Sequence, residues 1–195
     1  MTRFRSMKVF AAAAAVLVMA AGACAKDIVF TPPEDQAAPL FEVEYTNSAW
    51  GPAWTGFYVD GEGHVYSWDR SDAIDPALSG DELTPEQLAQ KYARKKALVK
   101  SLTAAEVMQR YQQAADAAET GLTDPRGMCA DAGNTRFSVW VHDAQDGNYH
   151  RILLHQRGDL AVTRRSNANR AVWKWLDAAT RENPGETWCD PYANG

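Results

Sequence analysis

Two helix-start signals lie near the middle of the chain, and segments of alternating polarity lie on both sides of them. Thr84-Pro85-Glu86-Gln87 and Thr103-Ala104-Ala105-Glu106 each place a threonine at the N-cap and a Gln or Glu three residues later, which is the capping-box pattern. The second helix carries Val107 and Tyr111 on one stripe, and Gly121 ends it. Strand-type segments before and after two helices predict an antiparallel sheet with helices packed against one face.

Tight turns separate the strand-type segments, and Asp60-Gly61 and Asp146-Gly147 are the clearest turn signals. A third helix is predicted from about Ala168 to Arg181, where Asn183-Pro184-Gly185 stops it. Six segments have the composition or alternation of strands: Phe41–Tyr45, Thr55–Asp60, His64–Trp68, Arg136–His142, Tyr149–Gln156 and Asp159–Arg164. We therefore predict an α+β fold with an antiparallel sheet of about five to six strands and two to three helices packed against it.

The first predicted helix has an apolar face and a basic cluster. We expect Leu88, Tyr92 and Val99 to share the apolar face. Its cations are interpreted as a solvated face: Lys91, Arg94, Lys95, Lys96 and Lys100. Without the three cations at the N-terminus, the formal net charge changes from −5 to −8. Because nucleic-acid binding depends on neutralising phosphates, we predict no nucleic-acid partner.

The N-terminus has the pattern of an export signal. Arg3, Arg5 and Lys8 precede an apolar run from Val9 to Ala21, which is shorter than the roughly 20 residues of a membrane-spanning helix. Lys26 to Leu40 is rich in proline and polar residues, as extended tethers are. We therefore divide the chain into an export signal (1–23), a tether (24–40) and a single globular domain (41–195).

Ala21-Gly22-Ala23-Cys24 resembles the lipobox of bacterial lipoproteins, a family that prefers Leu where this chain has Ala21. The resemblance implies cleavage before Cys24, acylation of that cysteine and a lipid anchor at a membrane facing the periplasm. The alternative is cleavage by ordinary signal peptidase after Ala23 or Ala25, which would give a soluble periplasmic protein. No membrane contact other than the lipid anchor is expected.

Cysteine number agrees with export. The chain has three cysteines, Cys24, Cys129 and Cys189, and an odd thiol is unusual in an exported protein. If Cys24 is acylated or removed, Cys129 and Cys189 remain as an even pair in an oxidising compartment. We predict a disulfide between them, the alternative being two buried free thiols.

The sequence offers one acid–base pair. A hairpin turn centred on Asp146-Gly147 would place Asp143 opposite His150, and such a pair can act as a general base with its orienting acid. A periplasmic hydrolase or transferase is therefore the alternative function, while a surface ion pair at a hairpin tip explains the same residues. Sequence motifs of serine nucleophiles, zinc proteases and phosphate loops are absent, so we assign no catalytic residue.

Two turns contain clustered oxygen ligands, Asp60-Gly61-Glu62-Gly63 and Asp143–Asn148. Neither has the spacing of the twelve-residue calcium loop, and tight turns favour Asp, Asn and Gly for their backbone geometry alone. We therefore predict no metal site and no cofactor.

Aromatic residues are concentrated in the first strands, with eight of them between Phe41 and Trp68. Exposed aromatic rings on a sheet can stack on sugars or on apolar groups of a partner protein. The alternative is that helices cover both faces of the sheet, or that the rings form the core. We predict a non-catalytic binding or accessory domain of the cell envelope, whose ligand is a cell-wall glycan or a protein partner. Its candidate binding residues are Trp50, Trp54, Tyr58 and Trp68.

Overall fold

The computed structural model describes residues 30–180, 189, 191 and 192, so the predicted export signal and Cys24 lie outside the described residues. The helices are α1 (Pro85–Tyr92), α2 (Ala104–Ala118), α3 (Asn167–Thr180) and a 3-10 turn at Pro76–Leu78. The strands are β1 (Pro39–Asn47), β2 (Ala53–Asp60), β3 (His64–Asp69), β4 (Glu82–Leu83), β5 (Lys95–Ser101), β6 (Arg126–Gly127), β7 (Asn134–His142), β8 (Tyr149–Gly158) and β9 (Leu160–Thr163).

The described strands form one nine-stranded antiparallel sheet. Its order is β5-β3-β2-β1-β7-β8-β9-β6, and β4 pairs with β8 outside this path. Pairing of β1 with β7, for example Val43 opposite Phe137, joins the strands before the helices to those after them. The predicted α+β class is confirmed. The sheet has more strands than the five to six predicted, because β4 and β6 are only two residues long and β5 has no alternating pattern in the sequence.

Strand β5 replaces the second half of the first predicted helix. Helix α1 ends at Tyr92, and Val99 lies in β5, not on a helical face. Leu98 pairs with Tyr66 and Lys95 with Trp68 of β3. Residues 95–101 thus form backbone hydrogen bonds with β3, whose outer edge would otherwise be unpaired. All seven residues of β5 are exposed.

Both faces of the sheet are covered, which differs from the predicted one-sided packing. Helices α2 and α3 pack on one face, where Phe41, Val59 and Val139 belong to the larger core cluster. Helix α1, β4 and the 3-10 turn cover the other face, where the core includes Trp68 and Trp140. Successive residues of a strand point to opposite faces, so both sets of side chains in one strand become buried.

The folded part begins upstream of the predicted boundary at residue 41. Ala38 and Leu40 are buried, and β1 starts at Pro39. The ring of Phe30 lies 5.6 Å from that of Tyr111 on α2, measured between centroids. Residues 30–40 therefore contribute to packing, and the extended-tether interpretation fails for this part of the segment.

The predicted disulfide is confirmed. Cys129 and Cys189 are bonded across 60 residues of sequence, and Cys189 is buried. The backbone N–H of Gly158 donates to the Cys189 carbonyl at 3.4 Å. The Thr123 and Tyr192 hydroxyls lie 3.2 Å apart. The bond and these contacts attach the C-terminal segment to the end of β8 and to the loop before β6.

Replacing both cysteines, as Cys129→Ala with Cys189→Ala, is expected to lower the free energy of unfolding by about 4 kcal/mol. The reason is that the open chain regains the entropy that a closed loop of this length removes from the unfolded state. Urea denaturation followed by circular dichroism measures the loss. The reduced wild-type protein should match the double variant, and a loss below about 1 kcal/mol would show that the bond contributes little.

Candidate functional site

The centre of the sheet contains two buried carboxylates on neighbouring same-face positions of β1. Glu42 and Glu44 alternate with Phe41 and Val43, so the two acids point to the face covered by α1. Both are buried, with at most 2% of the residue exposed. Ionised groups at such positions require partners of opposite charge, because burial alone strongly disfavours the charged form.

Lys91 supplies the first positive charge. Its Nζ lies 2.7 Å from Oε1 of Glu42 and 2.8 Å from Oε2 of Glu44, and the side chain is fully buried. The capping box at Thr84 fixes the start of α1. Lys91 then lies three residues after Leu88, on the buried face of the helix. The interpretation of Lys91 as part of a solvated face is therefore wrong, although its spacing from Leu88 was a signal of burial.

Arg151 of β8 supplies the second positive charge. Its Nη1 donates to Oε1 of Glu44 at 3.0 Å and lies 3.4 Å from Oε2 of Glu42. Its remaining nitrogens reach Asp81 and the Ser79 carbonyl, each at 2.8 Å. We call Glu42, Glu44, Lys91 and Arg151 the buried ion cluster. The charges of its two acids and two cations balance one another.

Aromatic rings enclose the ammonium group of Lys91. Its Nζ lies between 5.4 and 5.8 Å from the ring centroids of Trp54, Trp68, Tyr92 and Trp140, within the range of cation–π attraction. The indole N–H of Trp54 also donates to Oε2 of Glu44 at 2.9 Å. The N–H of Trp140 donates to the Tyr92 hydroxyl at 3.0 Å. Of the aromatic residues concentrated in the first strands, Trp54 and Trp68 thus lie beside the buried ion cluster.

The surroundings of Glu44 and Arg151 stabilise their charged forms. Burial raises the pKa of Glu44, but Lys91 and Arg151 outweigh that effect and lower the pKa to about 2. Burial lowers the pKa of Arg151, whereas Glu42, Glu44 and Asp81 raise it above its ordinary value. Both groups are therefore charged at neutral pH, as an ion cluster requires.

Three of the four predicted binding residues are not on the surface. Trp54, Tyr58 and Trp68 are between 1 and 5% exposed and belong to the core cluster under α1. The expectation that they form an exposed stacking surface is wrong, because α1, β4 and the 3-10 turn cover the sheet face to which they point. Trp50 differs from them: it is 84% exposed and lies in the loop before β2.

A groove of about 600 Å³ lies beside the loop that carries Trp50. Ala49 and Ala53, on either side of Trp50, both line it. We call this cavity the Trp50 groove. Its polar and aromatic lining includes Glu44, Asn47, Trp54, Asn134, Arg136 and Asp159. The buried ion cluster and the groove therefore share Glu44.

Arg136 is the partly exposed cation of the groove. Its Nε donates to Oε1 of Gln156 at 3.2 Å, and its Nη1 lies 3.9 Å from Oε1 of Glu44. Gln156 in turn donates to Oδ1 of Asn134 at 3.0 Å. These bonds orient the guanidinium, whose side chain is 41% exposed. Asn47, which also lines the groove, donates to the carbonyl of Asp131 at 3.2 Å.

The predicted pairing of Asp143 with His150 is wrong in register. Val141 lies opposite His150, and His142 lies opposite Tyr149. The Asp143 N–H donates to the Asn148 carbonyl at 2.9 Å, so the hairpin loop is centred one residue earlier than predicted. Nε2 of His150 lies 3.2 Å from Oδ2 of Asp146, four residues away in the same hairpin.

Two groups of side chains within the described part of the chain have the spacing of metal ligands. The ligand atoms in each group lie within 4.8 Å of one another. Both groups involve turns already noted for their oxygen ligands. One group is Asp60, Glu62 and His64, and the other is Glu82, Asp146 and His150.

Comparisons with known proteins do not assign a family. No family model, curated protein or solved structure matches this chain. Across the described residues, no helix has the length and apolar character needed to cross a membrane.

Lys91→Met is expected to lower the free energy of unfolding by about 3–5 kcal/mol, because two buried carboxylates would then share one cation. Lys96→Met is the matched control: Lys96 is 62% exposed and its Nζ lies 2.7 Å from Asp69. An exposed pair of this kind contributes about 0–1 kcal/mol. Urea denaturation measures the free energy of unfolding of both variants. Equal losses in the two variants would contradict the claim that Lys91 stabilises the fold through the buried ion cluster.

Acid is expected to destabilise the protein through Glu44. Because the folded state lowers the pKa of this group from 4.5 to about 2, ionised Glu44 stabilises the fold above pH 4.5. That contribution disappears as the pH falls from about 4.5 to about 2. We therefore expect the urea concentration at the midpoint of unfolding to fall less steeply with decreasing pH in Glu44→Gln than in wild type. Glu34→Gln, at an exposed position, should keep the wild-type slope, and parallel slopes for all three proteins would refute the assignment.

Proposed function

We propose that this protein is a non-catalytic binding module of the bacterial cell envelope that holds a cell-wall glycan in the Trp50 groove. The observation that carries the proposal is the 84% exposure of Trp50 beside a groove with a polar floor. The lipobox-like segment at Cys24 supports attachment to a membrane facing the periplasm. The alternative signal cleavage would give the same module in soluble form.

An exposed indole has a physical cost, which a ligand can remove. Leaving a large aromatic side chain in water forgoes about 2–3 kcal/mol of burial free energy. Sugar rings present apolar C–H faces that can cover such a ring, and the remaining N–H stays available for a hydrogen bond. The backbone N–H of Ala49 donates to Oδ1 of Asn47 at 2.8 Å, which constrains the loop before Trp50. A constrained loop reduces the entropy lost when a ligand is bound.

The floor of the groove supplies the polar partners that a hydroxyl-rich ligand needs. Asn134 provides an amide group, and Arg136 provides guanidinium donors beside the carboxylate of Glu44. Ligand sites combine aromatic surface with a few fixed polar groups that determine orientation. An exposed indole in the loop beside the groove, together with polar groups in the groove lining, fits a carbohydrate better than a purely apolar ligand.

A protein partner is the second candidate ligand, and strand β5 is the observation that favours it. This edge strand exposes Leu98 and Val99, and an extended segment of another protein could pair with such an edge. Lysines on the same strand, among them Lys96 and Lys100, reduce nonspecific pairing of this kind. A hydrolase or transferase would need Asp143 opposite His150, but Val141 occupies that position.

Trp50→Ala is expected to abolish binding of soluble cell-wall oligosaccharides while leaving the melting temperature nearly unchanged, because the removed ring makes little contact with the core. Isothermal titration calorimetry with a panel of these sugars measures the binding. Trp50→Phe is the matched control, since it keeps a stacking ring and should retain weaker binding. Wild-type affinity in Trp50→Ala would contradict the proposed stacking of a sugar on Trp50. Sugar binding absent from the folded wild-type protein would favour the protein partner.

A further inference from the structure

We infer that Asp60, Glu62 and His64, at the turn between β2 and β3, form a binding site for a divalent transition-metal ion such as Zn²⁺. The inference does not depend on the proposed glycan site. It rests on how two carboxylates and one imidazole nitrogen converge, and on the burial of one of the carboxylates. We call these three residues the turn triad.

Two carboxylate oxygens approach the same ring nitrogen. Nδ1 of His64 lies 3.3 Å from Oδ2 of Asp60 and 3.3 Å from Oε2 of Glu62. An imidazole nitrogen carries at most one hydrogen and can donate it to one acceptor along a straight line. A proton on Nδ1 therefore serves only one of the two oxygens well, whereas a cation between the three atoms would contact all of them.

The spacing agrees with metal coordination. Zinc binds histidine nitrogen and carboxylate oxygen at about 2.0–2.2 Å. Two ligands at that distance and at a tetrahedral angle are about 3.3–3.5 Å apart. Both separations from Nδ1 have this value, and the three ligand atoms lie within 4.8 Å of one another. An ion could therefore enter with only small movements of the exposed Glu62 side chain.

Asp60 is held in place independently of any metal. Its side chain is 4% exposed, and its Oδ1 accepts the His64 backbone N–H at 2.8 Å, which leaves Oδ2 directed at the imidazole. The turn itself is fixed by Gly63, with φ of +94° and the Leu102 carbonyl so close that a side chain would collide with it. A buried carboxylate on a fixed turn provides the preorganisation that a metal site needs.

The ligand types select the class of metal. Calcium and magnesium prefer oxygen ligands alone, whereas imidazole nitrogen suits zinc and other first-row transition metals. Two carboxylates would neutralise the charge of a divalent ion. Three protein ligands would leave a position for water, as in open zinc sites. Zinc is therefore the expected ion, and calcium is expected to bind much more weakly.

Isothermal titration calorimetry of the purified protein with Zn²⁺ at pH 7.5 tests the site. We expect His64→Gln to raise the Kd of one zinc equivalent by about tenfold or more, since even outer-shell changes at metal sites cost tenfold or more. His142→Gln is the matched control, because His142 lies on β7 outside both ligand groups. Melting curves in the absence of metal confirm that each variant is folded.

His150→Gln separates the turn triad from the group formed by Glu82, Asp146 and His150. We expect His150→Gln still to bind the zinc ion whose affinity is reduced in His64→Gln, and we expect Ca²⁺ not to compete for that zinc site. The inference is overturned if wild type does not bind zinc, if His64→Gln binds like wild type, or if only His150→Gln loses binding. Loss of sugar binding in Trp50→Ala would leave this result unchanged, so the two proposals fail separately.

Discussion

The contact of Lys91 with two buried carboxylates determines how one whole face of the sheet is built. Glu42 and Glu44 lie on β1, Arg151 lies on β8, and Lys91 comes from α1. The charges balance only when all three elements are in place, because any missing partner leaves an uncompensated ion in the interior. A purely apolar interface of the same volume could be equally stable, but it would not require this particular alignment of α1 with β1 and β8. We infer that the cluster specifies the packing of α1 more than it adds to stability.

Trp54 connects this interior to the surface. Its indole donates to Glu44, lies near Lys91 and also lines the Trp50 groove. The floor of the groove is therefore built from groups already fixed by the ion cluster, which allows a ligand to meet preoriented partners. Of the four candidate residues, only Trp50 is exposed. Trp54 and Trp68 lie beside the buried ammonium group of Lys91, and the ring of Trp50 is left for contact with solvent or a ligand.

Local chemistry made the helix starts predictable, whereas burial depended on tertiary context. The Thr84 hydroxyl accepts the Gln87 N–H and the Thr103 hydroxyl accepts the Glu106 N–H, as their sequence spacing predicted. Alternation on β1 also predicted strand structure, but it could not reveal that a second layer covers the polar side of that strand. The apolar spacing of Val99 fits a helix as well as a strand, and pairing of its neighbours Leu98 and Lys100 with β3 determines that it lies in a strand. The register at His150 depended on loop geometry, which a turn dipeptide alone does not fix.

The two proposed sites lie at opposite ends of β2. Trp50 precedes the strand and Asp60 ends it, so eight residues of extended chain separate them by about 25 Å. Strand β2 is paired along its length with β1 and β3, which makes it a rigid spacer. Direct electrostatic influence across that distance is screened beyond about 10 Å at ordinary ionic strength. A metal at the turn triad would therefore stabilise the β2–β3 hairpin and the adjacent start of α2. Its charge would not act directly on the Trp50 groove. Any effect of the metal on sugar binding would require a structural change transmitted along the sheet.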